Sequence, residues 1–110
     1  VVAIQNIITR IPNPSFFVFS DDIDWCEKEL YFLQGATFVE KELEGTGAIA
    51  QDYFYLMTFC KHFIISNSTY GWWAAWLGQN KHKVIIAPKK WFINPVIQTE
   101  DIYPDTWNKL

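Results

Sequence analysis

The chain has 110 residues, of which 50% are hydrophobic and 18% are aromatic, and its formal net charge is −3 at pH 7. This composition excludes a disordered segment, and the length predicts one domain with a single core. The negative charge argues against broad attraction to nucleic acid, and no apolar run reaches the roughly 20 residues of a membrane span.

The amino-terminal part of the chain predicts a helix followed by a strand. Val1 to Arg10 carries apolar residues at helical spacing and stops before Pro12. Residues 16–19 are a wholly apolar run, typical of a strand that is buried on both faces. We therefore expect the first strand of this chain to lie inside a sheet.

Two adjacent carboxylates, Asp21 and Asp22, follow this apolar run. Either Ser20 or Asp22 is suited to cap a helix that continues to about Leu30, because short polar side chains accept hydrogen bonds from the first N–H groups of a helix. The pair also fits acid–base chemistry or metal binding. No third oxygen ligand lies nearby in the sequence, so we predict no metal site.

Strand-like and helical segments continue to alternate through the middle of the chain. Residues 37–39 predict a second strand, 40–47 a charged loop with glycines, 48–63 a long helix, and Ile64-Ile65 with its neighbours a third strand. Short apolar strands that alternate with helices predict an α/β fold with a mostly parallel, Rossmann-like sheet and helices on both faces.

The remaining residues predict one more helix and one more strand. A Trp-rich helix is expected over 70–77 and stops at Gly78, a residue common at helix ends. A fourth strand is expected over 83–87, and the tail from 89 to 110 is expected to be rich in loops. A doubly wound sheet normally opens with a strand near its middle, whereas this chain opens with a helix. We therefore expect residues 1–110 to form one domain that lacks its first strand.

Four small polar residues separate the third strand from the Trp-rich helix, namely Ser66, Asn67, Ser68 and Thr69. Unpaired N–H groups and the positive end of the helix dipole point outward at such a position, which suits a phosphate group. Ordinary helix capping needs one of these four side chains and remains the alternative. The Gly-rich cradle and Lys of a nucleotide-hydrolase phosphate loop do not occur here, so that class of site is excluded.

Asp52 lies early in the helix predicted over 48–63. In a parallel sheet of this order, the start of that helix and the turn at 66–69 lie at the same edge of the sheet. A carboxylate there can accept two hydrogen bonds from N1 and the exocyclic amine of guanine. The alternative interpretation is a favourable charge in the first turn of a helix.

Four collinear segments, residues 16–25, 52–57, 66–77 and 87–92, resemble bacterial α-1,2-fucosyltransferases of glycosyltransferase family 11. The third segment is the most specific, and the resemblance covers nearly the whole chain. It implies a GT-B architecture in which two Rossmann-like lobes enclose the active site. These residues would form most of the C-terminal, donor-binding lobe.

The resemblance also implies a reaction and its substrates. Members transfer L-fucose from GDP-fucose to the 2-hydroxyl of a galactose in a glycan, with inversion and without an obligatory metal or other cofactor. Asp52 matches the acidic residue that contacts guanine, and Ser68 matches the hydroxyl at the pyrophosphate. Asp21 and Asp22 match an acidic pair with a structural or donor-proximal role. The other residues of the Ser68 loop are Ser66, Asn67 and Thr69.

One family motif, His-x-Arg-Arg-Gly-Asp, does not occur in these residues. Its Arg neutralises the β-phosphate of the leaving GDP, and the resemblance places it upstream of Val1, on the missing first strand. The acceptor-binding N-terminal lobe is missing as well. Removing a preorganised cation costs several kcal/mol of barrier, so we expect residues 1–110 alone to be inactive.

Two other function classes remain open from the residues. A phospho-receiver domain also has an acidic pair after a strand, a Ser or Thr after a later strand, and a Lys after the last one, but no Asp here fits its phospho-acceptor position. A non-catalytic interaction module is the other alternative. Cys26 and Cys60 lack metal-ligand spacing and predict free thiols, which, with no signal peptide at the start, indicates a cytoplasmic location, with room for peripheral association at the inner membrane.

Overall fold

The computed structural model describes residues 2–91 and 102–110. Within these residues, short parallel strands alternate with helices, which confirms the predicted α/β class. The helices are α1 (Val2–Arg10), α2 (Ile23–Glu29), α3 (Val39–Glu42), α4 (Ala50–Thr58) and α5 (Thr69–Leu77). The strands are β1 (Phe17–Val18), β2 (Thr37–Phe38), β3 (Phe63–Ile64), β4 (Ile85–Ala87) and β5 (Asn108–Lys109).

The strands form two separate sheets rather than the one sheet that the sequence predicts. β1 pairs with β2, with Phe17 opposite Thr37. β4 lies between β3 and β5, and all three are parallel. Strands β1 and β3 flank a common cavity of about 590 Å³, whose lining includes residues 14–19 and 59–64.

The main core lies against the three-stranded sheet. Its buried members are Phe63, Ile65, Ala75, Ile85, Ala87, Tyr103 and Trp107. Two of these come from the tail, where the Tyr103 hydroxyl donates to the carbonyl of Pro88 over 2.6 Å and so keeps its polar atom satisfied. Burying an aromatic side chain contributes about 1.5–3 kcal/mol, so the tail helps to hold the sheet together.

The tail also supplies a strand that the sequence did not predict. β5 consists of Asn108 and Lys109, which have no apolar pattern, and it forms because the backbone pairs with β4. The N–H of Leu110 donates to Ala87, and its carbonyl accepts from the N–H of Lys89. The expected loop-rich character therefore fits only part of the described tail.

Two predicted boundaries in the middle of the chain are wrong. The helix expected over 48–63 spans only Ala50–Thr58, since the backbone of Phe63 pairs with β4 instead. The loop expected over 40–47 begins as helix α3, because Val39 is buried and its carbonyl accepts from Leu43. Both errors arise where tertiary contacts override local pattern.

Candidate functional site

A second cavity, of about 610 Å³, lies where β1 and β3 end. Residues from four regions of the chain line it: the end of β1, α3, one face of α4, and the segment from β3 into α5. These residues are Phe19, Ser20, Asp21, Glu40, Ala50, Tyr53, Met57, Ile64, Ile65, Ser66, Ser68, Tyr70 and Gly71. Ligands of parallel α/β sheets bind in this position, beyond the carboxyl ends of the strands.

Ser66 and Ser68, from the Ser66–Thr69 turn, line one part of this cavity, which we call the serine wall. Ser68 precedes α5 as its N-cap residue, yet its side chain makes no capping hydrogen bond. The hydroxyl is therefore not used by the helix, and the first N–H groups of α5 lack intrahelical partners. Gly71 is buried beside Ile65, and an added Cβ would lie 3.4 Å from the Ile65 Cβ, an ordinary van der Waals distance.

Glu40 also lines the cavity and was missed at the sequence level. One carboxylate oxygen, Oε1, accepts a hydrogen bond from the N–H of Ser20 over 3.0 Å. The other, Oε2, is buried without a hydrogen-bond partner in the part of the chain that the structure describes. Burial raises the pKa of this carboxyl, and the charge of Asp21 adds to the effect. Nothing in the sequence distinguished Glu40 from the neighbouring charges of its predicted loop.

Tyr70 joins the amino ends of two helices at the cavity. Its hydroxyl donates to the carbonyl of Ala50 over 3.0 Å, and its ring packs edge-on against Phe54 with centroids 5.2 Å apart. Burial raises the pKa of Tyr70, with a further contribution from the charge of Glu40. The first turns of α4 and α5 are thus held side by side, and the positive ends of two helix dipoles lie at one site.

The structure brings three of the seven predicted site residues into the cavity lining: Asp21, Ser66 and Ser68. The other predicted loop residues point elsewhere. Asn67 donates from Nδ2 to the carbonyl of Trp91 at 3.5 Å, and Thr69 is exposed at the first position of α5.

The two other predicted carboxylates, Asp22 and Asp52, accept hydrogen bonds from backbone N–H groups at helix starts. Asp22 caps α2, where its Oδ1 accepts from the N–H of Trp25 over 3.3 Å. Asp52 Oδ2 accepts from the N–H of Ile49 over 2.8 Å at the start of α4. Asp52 is exposed and lies outside the cavity lining, although its helix begins at Ala50, which belongs to that lining. A contact with guanine therefore stays a prediction.

The ionisable side chains of the cavity lining are all carboxyl or phenol groups. Its ionisable side chains are those of Asp21, Glu40, Tyr53 and Tyr70, and none of the described lining residues is Lys, Arg or His. Within the described lining, positive potential for an anionic ligand comes from backbone N–H groups and the two helix amino ends. The arrangement can donate hydrogen bonds to a phosphate from the serine side and accept them from hydroxyls on the carboxylate side.

Among the described residues, no three His, Cys, Asp or Glu side chains lie close enough together to hold a metal ion. No helix in residues 2–91 and 102–110 has the length and apolarity needed to cross a membrane. Cys26 and Cys60 are free thiols as predicted, and burial raises the pKa of Cys60.

Comparison with known proteins identifies the family. The family model described as glycosyl transferase family 11 matches residues 1–110. The chain belongs to this family. Among its relatives, an α-1,2-colitosyltransferase of Escherichia coli is 34% identical over 98% of this chain and 37% of its own length. The O-antigen biosynthesis glycosyltransferase WbnK of E. coli is 44% identical over 68% of this chain and 24% of its own length.

A mammalian relative matches a similar share of this family 11 chain. Galactoside 2-α-L-fucosyltransferase Sec1 of Mus musculus is 37% identical over 68% of the chain and 20% of its own length. The chain thus spans well under half of each of these relatives. No solved structure matches it. The expected resemblance to family 11 is confirmed, whereas the GT-B architecture stays a prediction.

Proposed function

We propose that residues 1–110 form the donor-binding part of a glycosyltransferase that transfers L-fucose, or a closely similar sugar, from a GDP-linked donor in α-1,2 linkage. The observation that carries this proposal is the cavity at the ends of β1 and β3, which is lined by hydroxyls not used for capping and two helix amino ends in a chain of family 11. The names of the relatives support the linkage and the class of sugar.

The diphosphate of the donor binds along the serine wall in this proposal. Ser66 and Ser68 donate hydroxyl hydrogen bonds to phosphate oxygens, and the first N–H groups of α5 add to them. Ser68 is free for this role because it makes no side-chain cap. Hydrogen bonds to a charged group contribute about 1.5–3 kcal/mol each, so a few such contacts suffice for weak binding.

The two carboxylates of the cavity lining, Asp21 and Glu40, bind the neutral parts of the donor. Glu40 and Asp21 accept hydrogen bonds from ribose or sugar hydroxyls, which keeps the two anionic groups away from the phosphates. Asp52 binds the guanine from the rim of the cavity with its second carboxylate oxygen, Oδ1, because Oδ2 already accepts from Ile49.

Catalysis in this proposal needs parts of a longer protein. The acceptor-binding lobe of a GT-B enzyme would bring a galactose-containing glycan, and the Arg of the family motif would neutralise the leaving GDP. Transfer would proceed with inversion and without a metal or another cofactor. Residues 1–110 alone would bind the donor weakly and leave it unreacted, since the described lining of the cavity carries no cation.

Donor binding can be tested by calorimetric titration of GDP-fucose into the chain and its Ser68→Ala variant. We expect Ser68→Ala to weaken binding about tenfold, the equivalent of one hydrogen bond to a charged group. Ser15→Ala is the matched control, because Ser15 is exposed and lines the other cavity. Equal affinities for the original chain and Ser68→Ala would contradict the assignment of the serine wall.

The second candidate function, an interaction module without ligand affinity, predicts no heat with GDP-fucose or GDP-colitose. Membership of family 11 argues against the phospho-receiver domain. A receiver would bind Mg²⁺ and react with acetyl phosphate near Asp21, so the same titration with these reagents separates the classes.

A further inference from the structure

We propose that Glu40 accepts a hydrogen bond from a ribose hydroxyl of the bound nucleotide, and that this contact makes the site select ribonucleoside diphosphates over their deoxy analogues. The inference rests on the proposed function and narrows the partner of Glu40 from any donor hydroxyl to those of the ribose. Three observations carry it: the anchoring of Glu40, its unused acceptor positions, and its place beside Tyr70 in the cavity at the ends of β1 and β3, which we call the functional cavity.

Glu40 is anchored at the functional cavity from two sides. Its neighbour Val39, the first residue of α3, is buried, and its own Oε1 accepts from the N–H of Ser20 over 3.0 Å. A side chain that the fold already orders loses little further conformational freedom when a ligand binds. Glu40 is therefore a preorganised acceptor, in contrast to Glu42, which is exposed on the same helix.

The Glu40 carboxylate has acceptor positions that the described residues leave unused. An ionised carboxylate offers about four such positions, and the N–H of Ser20 occupies one of them. Oε2 is buried without a partner among the described residues, and burial raises the pKa of this carboxyl. A buried acceptor without a donor is unfavourable, so a ligand hydrogen-bond donor is favoured there. Because the terminal torsion of Glu is soft, a small rotation about Cγ–Cδ offers Oε2 to such a donor.

The charge of Glu40 limits the ligand groups that it can bind. A carboxylate accepts hydrogen bonds and repels anions, so the phosphate oxygens of a nucleotide are unsuitable partners. Asp21 adds a second negative charge close to Glu40, which contributes to the raised pKa of the Glu40 carboxyl. Neutral hydroxyl groups are suitable partners, and a nucleotide sugar carries them on its ribose and on its donor sugar.

The order of groups in a nucleotide sugar favours the ribose. The ribose lies between the base and the diphosphate, whereas the donor sugar lies beyond the diphosphate. In the proposed function, the base binds at Asp52 in the first turn of α4, and the diphosphate binds along the serine wall. Tyr70 links these two places, because it follows Ser68 by two positions and its hydroxyl donates to the carbonyl of Ala50 over 3.0 Å.

Glu40 lies beside this link. Its negative charge contributes to the raised pKa of Tyr70, and Ala50, Tyr53 and Tyr70 line the same cavity. The carboxylate is therefore close to the place where the base joins the diphosphate, which is the place of the ribose. A carboxylate that binds a ribose hydroxyl is a common element of nucleotide sites in doubly wound folds.

Selection between nucleotides follows from this contact. A deoxy analogue that occupies the site leaves the Glu40 acceptor without its donor. Sites built to bond a hydroxyl reject an analogue that lacks it far more strongly than hydrophobic pockets reject a missing methylene group. Glu40 thus determines specificity at a part of the donor that takes no part in the transfer reaction.

The affinities of GDP and 2′,3′-dideoxy-GDP, measured by amide-shift titration, test the proposal. We expect the original chain to bind GDP at least about tenfold more tightly than the dideoxy analogue, and Glu40→Ala to bind the two within about twofold of each other. Glu42→Gln is the matched control, since it removes a carboxylate from an exposed position of the same helix and should keep the original ratio. A general loosening of the site weakens both nucleotides alike, so the ratio isolates the hydroxyl contact.

Glu40→Gln replaces Glu40→Ala if the latter does not fold, because its amide oxygen can still accept from the N–H of Ser20. Hydrogen bonds to an ionised group are roughly twice as strong as neutral ones, so we expect the ratio to fall about threefold or more in Glu40→Gln. An unchanged Ser20 amide shift in this variant would verify that the end of β1 keeps its place.

Four results would overturn the inference. Equal affinities of GDP and the dideoxy analogue for the original chain would do so and leave the proposed function intact, as would a ratio that survives both substitutions of Glu40. An effect of Glu40→Ala on GDP-fucose but not on GDP would assign the carboxylate to the donor sugar instead. Failure of the original chain to bind GDP at all would contradict the proposed function and this inference with it.

Discussion

The N–H of Ser20 donates to the Glu40 carboxylate over 3.0 Å, which ties the end of β1 to helix α3 across the wall of the candidate site. The two residues are 20 positions apart in the chain. Since the other oxygen of Glu40 is buried without a partner among the described residues, this single contact fixes a carboxylate at the cavity. The functional cavity thus depends on the chain between β1 and α4 as well as on the serine turn.

Replacing Glu40 by Ala should loosen the end of β1. The N–H of Ser20 loses its acceptor, and we expect faster exchange of that amide together with a loss of about 1 kcal/mol of stability. Exchange measured by NMR and unfolding in urea would check both. Glu42→Ala is the control, because Glu42 is exposed on the same helix and lines neither cavity. Identical behaviour of the two variants would show that the Ser20 contact has no influence in solution.

Lys83 closes the carboxyl end of α5. Its Nζ donates to the carbonyls of Ala75, Trp76 and Gly78 over 2.8–2.9 Å, at a helix end where carbonyls lack the usual N–H partner of the next turn. Lys83→Met keeps the length of the side chain but removes these donors, and we expect a loss of about 1–3 kcal/mol in urea unfolding. Lys81→Met, at an exposed position, should leave the unfolding free energy unchanged. Equal effects would contradict the capping role.

Position 78 requires glycine because a side chain there would collide with a neighbour, and not because its backbone is left-handed. Its φ is −56°, and a Cβ built there would lie 2.6 Å from Cε2 of the buried Phe63 ring. Gly78→Ala should therefore destabilise the chain by about 1–3 kcal/mol through overpacking. Gly71→Ala places its Cβ at an ordinary 3.4 Å from Ile65 inside a helix, and should cost little or stabilise the chain. Thermal unfolding of both variants would check this contrast, and a harmless Gly78→Ala would refute it.

The protonation of His62 should lower the free energy of unfolding in mildly acidic solution. Its Nδ1 accepts from the N–H of Val84 over 2.9 Å, and burial, aided by the charge of Lys61, lowers the pKa of His62. The unfolded chain takes up a proton near its usual pKa of about 6.5, before the folded chain does, so stability falls as the pH drops below about 6.5.

Unfolding measured across this range should show a smaller pH dependence in His62→Asn, whose amide oxygen can accept from Val84 without titrating. The exposed His82 offers the matched control, His82→Asn, which should keep the original pH dependence. An unaltered pH dependence of the unfolding free energy in His62→Asn would mean that the contact with Val84 does not hold the imidazole ring neutral.

The sequence predicts strands where an apolar run is short and ends at polar residues or Pro. Residues 16–19 predicted β1, 83–87 predicted β4, and the Ser66–Thr69 turn correctly separated β3 from α5. The third strand of the core sheet, β5, could not be predicted, because Asn108 and Lys109 belong to it through backbone pairing alone. Propensity carries no information about such a strand.

The candidate site was only partly predictable for a similar reason. Asp21, Ser66 and Ser68 follow strands, and the carboxyl ends of parallel strands meet, so their convergence could be expected. Glu40 enters the cavity because α3 turns the chain back after β2 and its carboxylate finds the N–H of Ser20. That contact is tertiary and leaves no pattern in the sequence. Asp52, conversely, has the helix-start contact that its position alone suggests.

Titration of GDP into the isotopically labelled chain, followed by amide chemical shifts, tests the central claim most directly. We predict weak, saturable shifts up to about 10 mM GDP, clustered at Ser66–Thr69, at the Ser20–Asp21 end of β1, at Glu40 and at Asp52. Absence of shifts over this range would contradict the account. Shifts confined to surface lysines such as Lys89 and Lys90 would contradict it equally.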